Sequence, residues 1–285
     1  MLYRFLPVVL AACLLNACGA GPSTPTALAA TAMSAPASTS PQVSTGPGCN
    51  VRGATASDGL DPFYDKLCNA DGIVIASSKR VADSALVAAA EQILLLGEHR
   101  GDLFQQMVND GARLTVMARD EVTTDVPEYA DLQQTDPGHD WSVLRGVGGN
   151  WVNTVTVVSE ENLLCLGRPA DVYDGYDLLL HEWGHAMMNI GIRSADPMLR
   201  GAITDAYHEA MAAGLWQKSY AGTNPREYWA EGMQAFYNST WDAERDPRGH
   251  GDGIDTREKL LAYDPALYVL LLEVLPERSW AGCHG

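Results

Sequence analysis

The run His181-Glu182-Trp183-Gly184-His185 places two imidazoles and a carboxylate within five residues. On a helix, positions i and i+4 share a face, so His181 and His185 can offer nitrogens to one metal ion. Glu182 stands about 100° round the helix from His181, within reach of a water on that ion. Such a donor set suits a catalytic zinc with an open position, beside a carboxylate able to take a proton from that water.

A catalytic zinc takes three protein ligands. An extension of the motif with Gly at 188 and His at 191 is excluded, because these residues are Met188 and Gly191. The downstream donors are Asp205, His208, Glu209, Glu227 and Glu231. Glu227 and Glu231 share a helix face at i, i+4. One of them can bind the ion while the other accepts the free N–H of a ligating histidine.

The run Ser219-Tyr220-Ala221-Gly222-Thr223-Asn224, followed by Glu227-Tyr228-Trp229-Ala230-Glu231, is similar to the zinc-binding region of the anthrax-lethal-factor type of metallopeptidase. The similarity covers roughly residues 177–236. It implies a gluzincin in which His181, His185 and Glu227 hold Zn2+, and Glu231 supports a ligating histidine. It also implies that Glu182 is the general base and that Tyr220, seven residues before Glu227, donates to the oxyanion. The fold implied is a zincin-like, two-lobed α+β domain, and the substrate a peptide or protein. The chain also resembles uncharacterised secreted proteins that share Glu160-Glu161-Asn162-Leu163-Leu164 and Tyr263-Asp264-Pro265.

These residues need elements to position them. Apolar spacing predicts a helix over 173–190 that buries Leu179, Trp183, Ala186 and Ile190. Gly184 within it costs roughly 1 kcal/mol relative to Ala, tolerable where another backbone or a substrate passes close. Further helices are expected over 81–96, 103–108, 197–217, 225–238 and, as one or two pieces, 256–275. Strands are expected over 72–76, 114–118 and 152–159. The order, mixed first and then mainly helical, indicates an α+β domain. Gly148-Gly149-Asn150-Trp151 either supplies a sheet edge for an extended substrate or forms a plain turn. Gly146-x-Gly148 is no dinucleotide fingerprint, since Trp151 stands where the third glycine would be.

Residues 1–17 read as a lipoprotein-type signal peptide. Arg4 precedes an apolar run over 6–15, and Leu15-Asn16-Ala17-Cys18 resembles a lipobox that marks Cys18 for lipidation. An ordinary secretory signal is the alternative. Residues 18–48 lack charged side chains and read as a flexible Ala/Ser/Thr/Pro linker to a catalytic domain over 49–285. The net charge of −17 argues against nucleic acid and against anionic lipid surfaces, leaving the lipid anchor as the only membrane contact.

Cys49, Cys68, Cys165 and Cys283 remain for disulfides in an extracytoplasmic protein. Of the three pairings, Cys49–Cys68 with Cys165–Cys283 is preferred. Asp246, Asp252 and Asp255 lie in a Gly-rich stretch without EF-hand spacing, and Asn238-Ser239-Thr240 is a glycosylation acceptor only in a eukaryotic route. The expectation is an exported monomeric zinc peptidase. Its rivals are a zincin-fold surface protein that binds peptides or glycans without hydrolysis, and a structural zinc protein needing a fourth ligand, for which His208 is the nearby option.

Overall fold

A computed structural model describes residues 48–241, 253–280 and 282. The leader, Cys18, nearly all of the linker, Asp246, Asp252 and Cys283 lie outside the described residues.

The architecture is α+β. Five strands form one sheet in sequence order: β1 (Arg52–Gly53), β2 (Lys66–Ala70), β3 (Ile73–Ser77), β4 (Arg113–Met117) and β5 (Val155–Ser159). β1/β2 and β2/β3 pair antiparallel, whereas β3/β4 and β4/β5 pair parallel. Strand β2 escaped the periodicity reading, although its turn carries a signal. Asp71 and Gly72 both take positive φ (53° and 102°), the conformation that closes a two-residue hairpin.

The parallel step from β3 to β4 runs through α1 (Asp83–Gly97) and α2 (Gly101–Asn109), which bury Leu86, Ile93, Leu103 and Met107 in the main core. On the way from β4 to β5 lie α3 (Leu132–Thr135) and a satellite core of Met117, Val126, Tyr129, Val155 and Val157. The short α4 (Glu160–Leu163) follows β5 directly.

The site helix α5 (Leu178–Ala186) is shorter than the spacing predicts. It starts late because the Asp177 side chain accepts the Leu180 N–H at 2.8 Å, capping the first turn. Past Ala186 the backbone widens into a π-helical stretch over Met187–Ile192 and ends in α6 (Arg193–Ala195). The expected strand over 152–159 begins only at Val155, since the Asn150 side chain takes the Val152 N–H at 2.8 Å and turns the chain.

Helices α7 (Pro197–Ala212), α8 (Pro225–Phe236), α9 (Arg257–Tyr263) and α10 (Pro265–Val274) complete the chain. The expected helix over 256–275 divides at Asp264, whose carboxylate caps α10 through the Leu267 N–H at 3.0 Å. Trp183 on α5 and Tyr228, Trp229 and Phe236 on α8 are fully buried. A Cβ at Gly184 would lie 3.0 Å from Met233 Sδ and 3.4 Å from Ala230 Cα, so the glycine lets α8 approach α5, as its place in the motif suggests.

Cys49–Cys68 is a disulfide, as expected, and ties the start of the described chain to β2. Cys165 is also disulfide-bonded, while its expected partner, Cys283, lies outside the described residues. No helix among the described residues is long and apolar enough to cross a membrane.

Candidate metal centre

Helix α5 directs His181, Glu182 and His185 to one point, each offering a ligand atom within 4.8 Å of the others. Helix α8 brings Glu227 to the same point from its first turn, where the Asn224 side chain accepts the N–H groups of Arg226 and Glu227. The donors form a nearly equilateral triangle. His181 Nε2 and His185 Nε2 are 3.1 Å apart, and Glu227 Oε2 lies 3.2 Å from the first and 3.3 Å from the second.

A tetrahedral ion bonded at about 2.0–2.1 Å spaces its donors by about 3.3–3.4 Å, so these residues fit a zinc-sized cation. Glu227 Oε2 is buried without a hydrogen bond, its contacts to both imidazoles having the distance but not the alignment of one. A buried carboxylate oxygen in that state calls for a cation.

The charges are coupled. Burial pulls the His181 pKa down, but the close contact with Glu227 and the fields of Glu182, Glu227 and Glu231 outweigh it and raise the value to about 9. Burial pushes the Glu182 carboxyl up. Burial acts the same way on Glu227, yet His181 and His185 overcome it and hold that carboxyl below the usual carboxylate range.

Behind His181 sits a network that the motif reading only partly anticipates. Glu231 does stand there, with Oε1 at 3.5 Å from His181 Nδ1. The nearer oxygens are Tyr176 Oη at 2.7 Å and Gln234 Oε1 at 3.1 Å. Tyr176 donates its own proton to Glu231 at 2.8 Å, so toward His181 its oxygen acts as acceptor for Nδ1–H. In the neutral ring that arrangement holds the proton on Nδ1 and leaves Nε2 for a metal. Gln234 lies one turn past Glu231 on α8 and was legible as a same-face residue; Tyr176 had no signal before the fold closed. His185 Nδ1 is buried without a partner among the described residues.

Tyr220 occupies a 3-10 turn (Tyr220–Thr223), with its ring 6.1 Å from that of His181 and inclined by 27°. Asp205, His208 and Glu209 stay on α7 and line no part of the cleft. The structural-zinc reading therefore finds no fourth ligand in His208. Asp255 ion-pairs with Lys259.

The cleft over the triangle measures roughly 690 Å³. One wall is the segment 145–150. Val147 pairs antiparallel with Val157 through N–H···O bonds of 3.0 and 2.9 Å. Strand geometry then turns the backbone groups of Gly146 and Gly148 away from β5. Both glycines are sterically required. A Cβ at Gly148 would stand 2.5 Å from His185 Cβ, and one at Gly146 2.8 Å from Glu182 Oε1. Trp151, by contrast, is 63% exposed and packs under Arg193.

The run Glu160-Glu161-Asn162 anchors both sides of the site. Buried Arg145 donates from Nε and Nη2 to Glu161 at 2.7 and 3.2 Å, and from Nη2 to Ala118 O at 2.9 Å. This clamps the glycine wall. Asn162 donates to Tyr176 O at 2.9 Å and accepts the Leu178 N–H at 2.8 Å, which places Tyr176 and the start of α5.

No family model matches this chain, and no curated protein matches it. Among solved structures it is similar to the Pro-Pro endopeptidase PPEP-2 from Paenibacillus alvei, at 16% identity and a TM-score of 0.36. The match covers 71% of this chain and 96% of that one.

Proposed function

We propose that this protein is a zinc-dependent peptidase of the gluzincin type. The observation that carries the proposal is the triangle of His181 Nε2, His185 Nε2 and Glu227 Oε2, with the Glu182 carboxylate beside it. When bound there, zinc would supply Lewis acidity for the scissile carbonyl and lower the pKa of a water.

The chain's own residues do the rest. Glu182, its proton affinity raised by partial burial, accepts the proton of the attacking water and passes it to the leaving amine. Tyr220, beside His181 in the cleft, donates to the oxyanion. Tyr176, Gln234 and Glu231 hold the His181 ring with Nε2 toward the ion. A substrate lies extended against Gly146 and Gly148, where glycine gives the closest backbone approach.

In this reading the domain is zincin-like and two-lobed and works as a monomer. It acts outside the cytoplasm, exported by its leader and anchored through lipid on Cys18. The Cys49–Cys68 disulfide supports an oxidising compartment.

The test is cleavage profiling of a broad peptide library by the purified mature protein, with a chelator control, the Glu182→Gln variant and direct metal analysis. About one zinc per chain is expected, with cleavage abolished by the chelator and by the variant. Bound zinc without cleavage of any peptide would instead support the binding protein.

A further inference from the structure

The walls of the cleft are far less acidic than the chain as a whole. The chain has 36 acidic and 19 basic residues, yet among the described residues the carboxylates lining the cleft are Glu182 and Glu227, both at the candidate metal centre. The lining side chain with a permanent positive charge is Arg226. It is exposed, and it directly precedes Glu227 in the first turn of α8.

Arg52, Arg100 and Arg145 each pair with a carboxylate, whereas Arg226 has no ion pair among the described residues. Its position is unfavourable for a cation, because the N-terminal end of a helix already carries positive partial charge. The neighbouring polar lining is neutral: Thr223, Asn224, Asn150 and Asn189. With a divalent cation at the centre, Glu182 and Glu227 are matched, and among the described residues the charge of Arg226 is left uncompensated. Arginine presents a planar fork of donors suited to a carboxylate.

Deepening the peptidase reading, on which it rests, we propose that Arg226 selects peptides carrying an Asp or Glu side chain beside the scissile bond. Arg226 directly precedes Glu227 and lines the same cleft as the triangle, so the acidic residue that it meets stands close to that bond. The rim then acts as a specificity device, drawing an acidic peptide into a cleft on an otherwise repelling molecule.

The experiment compares matched peptides that differ only by Asp/Asn or Glu/Gln within two positions of a cleaved bond. For the zinc-loaded protein, kcat/KM should favour the acidic member about fivefold. Arg226→Ala should bring that ratio close to unity and Arg226→Glu should invert it. Arg200→Ala, which removes an exposed arginine of α7 outside the cleft, should keep the wild-type ratio.

Calorimetric binding of the same peptides to zinc-loaded Glu182→Gln protein, at low and high salt, reads recognition without hydrolysis. There too the acidic member should bind about fivefold more tightly, less so at high salt, and only while Arg226 is present. A ratio near unity in the wild type, a ratio that survives Arg226→Ala, or no peptide binding would overturn the inference. Acidic preference in binding without cleavage of any peptide would sink the peptidase reading and leave Arg226 as the recognition residue.

Discussion

The hydroxyl oxygen of Tyr176 lies 2.7 Å from Nδ1 of His181 while its proton goes to Glu231. A tyrosine one residue ahead of the helix cap therefore sets the tautomer of a donor on the helix itself. Removing that oxygen by Tyr176→Phe keeps the ring packing and deletes the acceptor. Zinc affinity should fall about tenfold or more, read by competition with a chromophoric chelator, and unchanged affinity would assign the role to Gln234 alone.

Glu182 and Glu227 should separate by phenotype. Glu182→Gln should retain zinc and lose activity by a factor of about 10²–10⁴, the span of general-base catalysis. Glu227→Ala should lose zinc on direct metal analysis. Full zinc occupancy in Glu227→Ala would remove Glu227 from the ligand set, and Glu231, on the Nδ1 side of His181, is not placed to replace it.

The Arg145–Glu161 pair is buried and bidentate. Glu161→Ala leaves a guanidinium without its counter-charge in the interior and should destabilise the fold by about 3–5 kcal/mol. Chemical denaturation of the metal-free protein would measure it. A change below about 1 kcal/mol would mean that the backbone carbonyls of Ala118 and Glu121 suffice to hold Arg145.

Proton linkage follows from His181. In the metal-free centre its pKa is raised to about 9, above the ordinary value of about 6.5, so the imidazolium predominates at pH 7. Its contribution to stability is fully present below about pH 6.5 and fades as the pH rises through about 9. A metal needs the neutral ring, so zinc uptake at pH 7 should release about one proton. Calorimetric titrations in buffers of different ionisation enthalpy would show it, and a buffer-independent heat would contradict it.

Local pattern alone was sufficient for the donors on α5, because i and i+4 on a helix share a face whatever surrounds it. The same reasoning paired Glu227 with Glu231, found the α+β character and anticipated the close approach at Gly184. The hydrophobic spacing also placed most helices, erring where a side chain cut an element short, as Asp177 and Asn150 do. What the chain order could not state is which distant segments meet. Tyr176 reaches His181 only once Asn162 holds the turn before α5, and Gly146 and Gly148 face the metal centre only because Arg145 is clamped by Glu161. Tertiary packing likewise closed the triangle to 3.1–3.3 Å and, among the described residues, left Arg226 without an ion pair at its rim. Periodicity reports neighbours along one element, whereas a metal site and its walls are set by contacts between elements far apart in the chain.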